Sequence, residues 1–186
     1  RGYFDVYAPN SKMGLSYHNC NLSRNHLFLV NSVMLDIEKI TKELSAIPDP
    51  EIPVISIKEL GVLRDVSYEG KELIVTITPT YSGCPAMDRF QTDIKDKLKQ
   101  MMVEQFKIVL QYDPPWTTEW MNDKAKRKLK KYGIAPPVNM NLEKEVECPN
   151  CSSSKTEVVS HFGSTACKAM YRCKACYEPF EYFKCL

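Results

Sequence analysis

Thr78-Pro79-Thr80-Tyr81-Ser82-Gly83-Cys84-Pro85 joins a run of strand character to a run of helix character, and the rest of the chain is arranged about it. Pro79 has no N–H for a strand ladder, and Gly83 tolerates the backbone angles of a tight turn. Pro85 suits the first position of a helix, where a missing N–H costs nothing. That places Cys84 at the N-cap, facing unpaired backbone N–H groups and the positive end of the helix dipole, which favour a thiolate. The competing reading is a small buried residue filling the turn.

Upstream, Ile37, Ile40 and Leu44 recur at helical spacing, so residues 35–46 are expected to form an amphipathic helix. It stops before Ile47-Pro48-Asp49-Pro50-Glu51-Ile52-Pro53, where the prolines forbid regular helix. Residues 62–68 read as a strand, Glu69-Gly70-Lys71 as a turn and 72–78 as the hairpin partner. Ile74 and Ile77 are expected to pack that second strand, with Val75 on the opposite face.

Downstream, Met87, Phe90, Ile94, Leu98 and Met101 form the buried stripe of a helix over 85–103. Phe106-Lys107-Ile108-Val109-Leu110 reads as a third strand. A helix over 118–131, capped by Thr117 or Thr118 and closed by Gly133, should turn Met121, Ala125, Leu129 and Tyr132 inward. Its lysines and Arg127 form a solvated face or a docking surface for an acidic partner. The expected fold is α+β, a small helix-covered mixed sheet domain followed by a zinc-ribbon β module.

Six of the eight cysteines fall at or after Cys148 in this 186-residue chain. Cys148-Pro149-Asn150-Cys151 and Cys173-Lys174-Ala175-Cys176 are two Cys-x-x-Cys knuckles, with 152–172 between them to form an extended hairpin. Four thiolates fill a tetrahedral zinc site with no open position, which makes it structural; iron in the same thiolates would give an electron carrier. A module of this size has too small a core to fold without a metal. Thr156–His161 and Lys168–Arg172 are its candidate strands, and Tyr171, Tyr177, Phe180, Tyr182 and Phe183 its small core. Cys167 and Cys185 belong to neither knuckle, so each either fills structure or supplies an additional ligand; His161 is an outlying candidate.

The organisation expected is an extension over 1–33, a domain over 34–132 including its last helix, a linker over 133–147 and a ribbon over 148–186. The stretch 1–33 is polar and irregular, and Met34 directly precedes the first amphipathic pattern, so it reads as an extension, upstream or non-native. His18, Cys20 and His26 within it lack ligand spacing. The net charge of +2 arises entirely in that extension, leaving the remainder neutral. A neutral balance argues against nucleic acid. No apolar run is long enough to span a membrane. Knuckle spacing without a secretory signal points to a reducing, cytoplasmic setting rather than a disulfide scaffold.

Asp49-Pro50-Glu51-Ile52-Pro53, Leu60-Gly61-Val62-Leu63-Arg64-Asp65-Val66 and Thr78-Pro79-Thr80 with Cys84-Pro85 resemble, in that order, the SufT-like iron–sulfur assembly-factor family. Over residues 34–186, Asp113-Pro114-Pro115-Trp116, Tyr132-Gly133-Ile134-Ala135-Pro136-Pro137 and the cysteine-rich tail are similar to the PaaD branch. Members of that branch are encoded with the multicomponent phenylacetyl-CoA epoxidase. The resemblance implies a non-enzymatic maturation factor that carries iron or an iron–sulfur cluster transiently through Cys84. Asp49, Glu51 and Thr80 then lie near that sulfur. The implied partner is an epoxidase component, foremost the iron–sulfur reductase subunit. One cysteine gives incomplete coordination, so a second ligand would come from a homodimer mate, the partner or the ribbon. The alternative is a structural adaptor subunit of the epoxidase complex with no metal-transfer role.

Overall fold

The computed structural model describes residues 35–138 and 145–184. The expectations for the N-terminal extension and for Cys185 lie outside the described residues. Met34–Leu186 form one compact unit.

Helix α1 (Ile37–Ser45) begins where the Asp36 carboxylate accepts the Glu38 N–H at 3.0 Å, and it buries Ile40 and Leu44. The proline-rich segment after it is not a strand. Its backbone polar groups are satisfied locally, with Asp49 N–H bonded to the Ile55 carbonyl and Ile57 N–H to that of Ile47. Ile47, Ile52, Ile55 and Ile57 are all driven into the core.

Strands β1 (Leu63–Glu69) and β2 (Glu72–Ile77) form an antiparallel hairpin, and β3 (Phe106–Leu110) pairs parallel with β2. A parallel neighbour needs a crossover, and helix α2 (Ala86–Gln100) provides it. On β2 the two-residue period puts Leu73, Val75 and Ile77 together in the core. Val75 therefore shares a face with Ile77, and Ile74, buried on the other side, does not; the expected assignment of faces is corrected accordingly.

The third helix also differs from expectation. Thr118–Trp120 form only a 3-10 turn, and α3 (Asp123–Tyr132) starts at Asn122, whose side chain accepts the Ala125 N–H at 2.8 Å. Asn is the better cap because its side-chain oxygen reaches the third helical N–H. Gly133, at φ 91°, closes the helix as expected, but Tyr132 is exposed rather than inward.

The second sheet runs β4 (Ile134–Ala135), β7 (Pro179–Phe183), β6 (Lys168–Cys173), β5 (Thr156–Ser160). Strand β4 lies within the stretch expected as linker, and pairs parallel with β7. The chain just past α3 thus already belongs to the ribbon sheet. The two halves meet at Trp116, whose indole N–H donates to the Leu60 carbonyl at 3.0 Å and whose ring meets Phe183 edge-on at 6.2 Å.

Gly61 sits at φ 82°, and a Cβ there would stand 2.8 Å from the Trp120 Cβ. Gly61→Ala combines left-handed backbone strain with a clash against a residue whose ring stacks under Arg64. It is expected to cost about 2–3 kcal/mol, read as a lower midpoint in denaturant titration.

Glu59 ties α3 to the body of the domain. It exchanges bonds with Ser56 in a reciprocal cap, Ser56 N–H to its carboxylate at 3.1 Å and its own N–H to the Ser56 hydroxyl at 3.2 Å. Its carboxylate also accepts Lys128 at 2.7 Å and Lys124 at 3.3 Å. Burial alone would raise its pKa, but Lys128, Ser56 N–H and Lys124 together hold it below the ordinary glutamate value of 4.5. A lowered carboxylate stabilises the fold above its unfolded pKa, and that stabilisation is lost as pH falls through the folded one. Glu59→Gln should therefore destabilise by about 1–2 kcal/mol at pH 7, with the gap to wild type closing below about pH 4. Unfolding midpoints measured at both pH values check this.

Candidate functional site

The turn after β2 brings Cys84 over a cavity lined by Asp49, Glu51, Thr80, Cys167 and Phe183, among others. Each arrives for a local reason. Asp49 Oδ1 accepts the N–H groups of Glu51 at 2.8 Å and Ile52 at 2.7 Å, an Asx turn that fixes the Pro-rich segment and aims Glu51. Thr80, just past the strand, places its hydroxyl 3.8 Å from the Cys84 sulfur. Cys167 is delivered by the residue before β6, and the Lys184 N–H bonds to its carbonyl at 2.9 Å. Asp49, Thr80 and Cys167 are buried, whereas Cys84 and Glu51 are half-buried.

Helix α2 starts one residue later than the sequence implied, with Pro85 itself at the cap position. Cys84 stands just outside the helix. The expected thiolate preference is overturned: burial pushes the Cys84 thiol up, and the Glu51 and Asp49 carboxylates add to it. The Ala86 N–H and the Thr80 hydroxyl oppose that shift without outweighing it. Desolvation of an anion beside two carboxylates is the larger effect.

The neighbours respond alike. Burial raises Asp49 despite the Ile52 and Glu51 N–H groups, and burial with the Asp49 charge raises Glu51. Burial raises Cys167 in spite of Thr165, whose hydroxyl lies 3.0 Å from its sulfur. Burial, then the charges of Cys84 and Cys167, push the Tyr81 hydroxyl up to about 12. Thr165 also bonds the Glu51 carboxylate, so one hydroxyl touches a ligand-type group from each half of the molecule. The nearby Lys168 is buried and paired with Glu181 at 3.1 Å.

Sequence reasoning does not single out Tyr81, Thr165 or Lys168 as site residues. Thr165 and Lys168 flank Cys167, but no spacing rule links them to residues 49–84.

In the ribbon, the sulfurs of Cys148, Cys151, Cys173 and Cys176 all lie within 4.8 Å of one another. Cys148 to Cys176 is 3.8 Å and Cys151 to Cys173 is 3.5 Å. A tetrahedral ion with Zn–S near 2.3 Å has sulfur–sulfur edges of about 3.8 Å, so the four thiols fit zinc. Each knuckle turns through a left-handed residue directly after its second cysteine, Ser152 at φ 58° and Tyr177 at φ 65°. The Ala175 and Cys176 N–H groups point at the Cys173 sulfur at 3.4 and 3.5 Å, supplying outer-shell donors to a thiolate. Cys167 is not one of this set; it faces the other site.

A cysteine held beside carboxylates at a strand-to-helix turn, joined to a four-cysteine ribbon, defines an iron–sulfur assembly-type domain carrying a zinc ribbon. Residues 37–105 match the iron–sulfur cluster assembly protein family, and residues 135–184 match the PaaD zinc beta ribbon domain. The chain is 47% identical over 154 residues to an Escherichia coli (strain K12) protein named as a subunit of 1,2-phenylacetyl-CoA epoxidase, covering 81% of this chain and 93% of that one. It is 32% identical over 101 residues to an Fe-S protein maturation auxiliary factor of Porphyromonas gingivalis (strain ATCC BAA-308 / W83), covering 53% of this chain and 95% of the other. A crystal structure of a DUF59 domain from Bacillus anthracis is 31% identical, covering 50% of this chain and 90% of its own, at a TM-score of 0.46. The chain belongs to the PaaD family.

Proposed function

We propose that the protein is a maturation factor of the phenylacetyl-CoA epoxidase system, holding iron or an iron–sulfur cluster transiently at Cys84 and passing it to a partner oxidoreductase. The observation that carries this reading is the convergence of Cys84 with Asp49, Glu51 and Thr80 at a half-buried cavity. A raised thiol pKa suits a carrier, because sulfur that is not permanently a thiolate gives up its cargo to a better donor set. The client is taken as the iron–sulfur reductase subunit. Zinc held by Cys148, Cys151, Cys173 and Cys176 keeps the ribbon folded and does no chemistry.

The test is anaerobic purification of wild type and Cys84→Ala with iron and sulfide analysis, together with the cluster content of the reductase made alongside each. Cys84→Ala is expected to lose its bound iron and lower the client's cluster occupancy at least about tenfold. A second reading, a structural adaptor, is favoured by the exposed Val159, Phe162 and Tyr177 of the ribbon. Full maturation with Cys84→Ala, but none after deletion of residues 148–186, would establish the adaptor instead. The lysine-rich face of α3 offers the adaptor less than its charge count suggests. Lys124 and Lys128 are paired with Glu59 and Lys130 with Glu147.

A further inference from the structure

We propose that Cys84 and Cys167 act as a pair, one sulfur from the assembly domain and one from the ribbon, that holds a single divalent ion of the Fe2+ class beside Glu51 and Asp49. This rests on the cargo role proposed above. It assigns the second sulfur to the chain itself rather than to a second copy or to the client.

Three observations carry it. The first is the donor set: two thiols and two carboxylates line one cavity, a mixture that suits borderline ions such as Fe2+, Co2+ and Zn2+ better than Mg2+ or Ca2+. The second is charge. Every titratable side chain among the residues lining that cavity forms an anion, and the adjacent Lys168 is already committed to Glu181. A cation entering there meets attraction from four sides. The third is size. The cavity is about 10 Å³, room for roughly one water-sized particle. A two-iron cluster brings two metals and two sulfides, so the pocket suits one ion ahead of cluster assembly.

Each sulfur also has an outer-shell hydroxyl, Thr80 on Cys84 and Thr165 on Cys167. Thr165 bonds Glu51 as well, which makes it the positioning residue linking the ribbon's sulfur to the domain's carboxylate. Among the described residues, only the ribbon cysteines bring three or more donors within 4.8 Å of one another. The Cys84–Cys167 pocket is thus less closed than the zinc site, and holds its ion more weakly, as a cargo requires. Binding displaces the thiol protons to solvent, with no change in oxidation state.

Full-length protein carrying one equivalent of Zn2+ in the ribbon is titrated anaerobically with Co2+ alone. One further ion per chain is expected, with thiolate-to-cobalt absorption in the near ultraviolet. Cys84→Ser and Cys167→Ser should each lower that band at saturation to about half, and the double variant should abolish it. Thr165→Val, which leaves both sulfurs in place, should keep the saturated band and weaken binding about 10–100-fold, with Thr165→Ser restoring it. A full band in Cys167→Ser, with none in Cys84→Ser, overturns the pairing and leaves the cargo role of Cys84 standing. An undiminished band in both overturns both. If Cys167→Ser does not retain its zinc, Cys84→Ser decides alone: half a band supports the pair, none overturns it. Stoichiometric acid-labile sulfide retained with iron at this site after reconstitution overturns the single-ion assignment.

Discussion

Replacing Cys173 by Ser, or stripping the ribbon's metal with a chelator, is expected to unfold β5–β7 and take Cys167 away from Cys84. The ribbon's own core is made of Ala135, Cys148, Ala169, Cys173, Phe180 and Tyr182, two of which are knuckle cysteines. Such a core is too small to offset the entropy of ordering the ribbon, whereas a structural zinc contributes on the order of 10 kcal/mol in small metallo-domains. Cys173 is the most consequential of the four ligands, because it is fully buried and its sulfur collects two backbone N–H groups. Backbone donation from Cys176 leads in drawing its thiol down to about 6, so the thiolate is already favoured near neutral pH. Hydrogen exchange should show protection lost over residues 156–183 while α1, α2 and β1–β3 remain protected. Retained protection across β6 after chelation would contradict the account.

How far the sequence goes depends on whether the interacting residues are close along the chain. Leu73 to Ile77 and Met87 to Leu98 carry their own periodicity, so β2 and α2 are legible within a residue or two. The knuckles are legible for the same reason, since two Cys-x-x-Cys pairs state a ligand set directly. The Cys84 environment is half legible. Its proximity to Asp49, Glu51 and Thr80 comes through the family resemblance, and the cavity brings those residues together. The sign of the pKa shift does not come through. Helix-terminus placement argues for a thiolate, while burial and two carboxylates, which no local pattern reveals, argue the other way and win. Phe183 and Cys167 read as ribbon residues, yet both belong to the main core. Strand β7 escapes detection because Pro179 heads a run whose aromatic residues read as a cluster without a strand period. Pairing of β7 with β6 and β4 is decided by tertiary contact.

Phe183 is where that tertiary decision can be tested. It is 2% exposed, lies at the end of β7, packs its ring against Trp116 and lines the Cys84 cavity. Phe183→Ala removes an aromatic side chain from the seam between the two halves, a change that costs about 3–5 kcal/mol in a packed core. The loss should be uneven. The zinc knuckles lie at the other end of β6, at Cys173, and bind their metal without contact with Phe183, so zinc content should stay near one per chain. The seam, by contrast, loses the ring that Trp116 abuts and the neighbour that holds the Lys184 N–H on the Cys167 carbonyl. Thermal unfolding should fall by several degrees and split into two transitions, with Trp116 emission shifting to the red as its ring meets water. Cys167 should become reactive towards a thiol reagent at a rate at least about tenfold above wild type, while the zinc-bound cysteines stay protected. A single transition with unchanged Cys167 reactivity would mean that the ribbon docks through β4 and α3 alone. In that case the cavity at Cys84 owes nothing to the aromatic seam beside it.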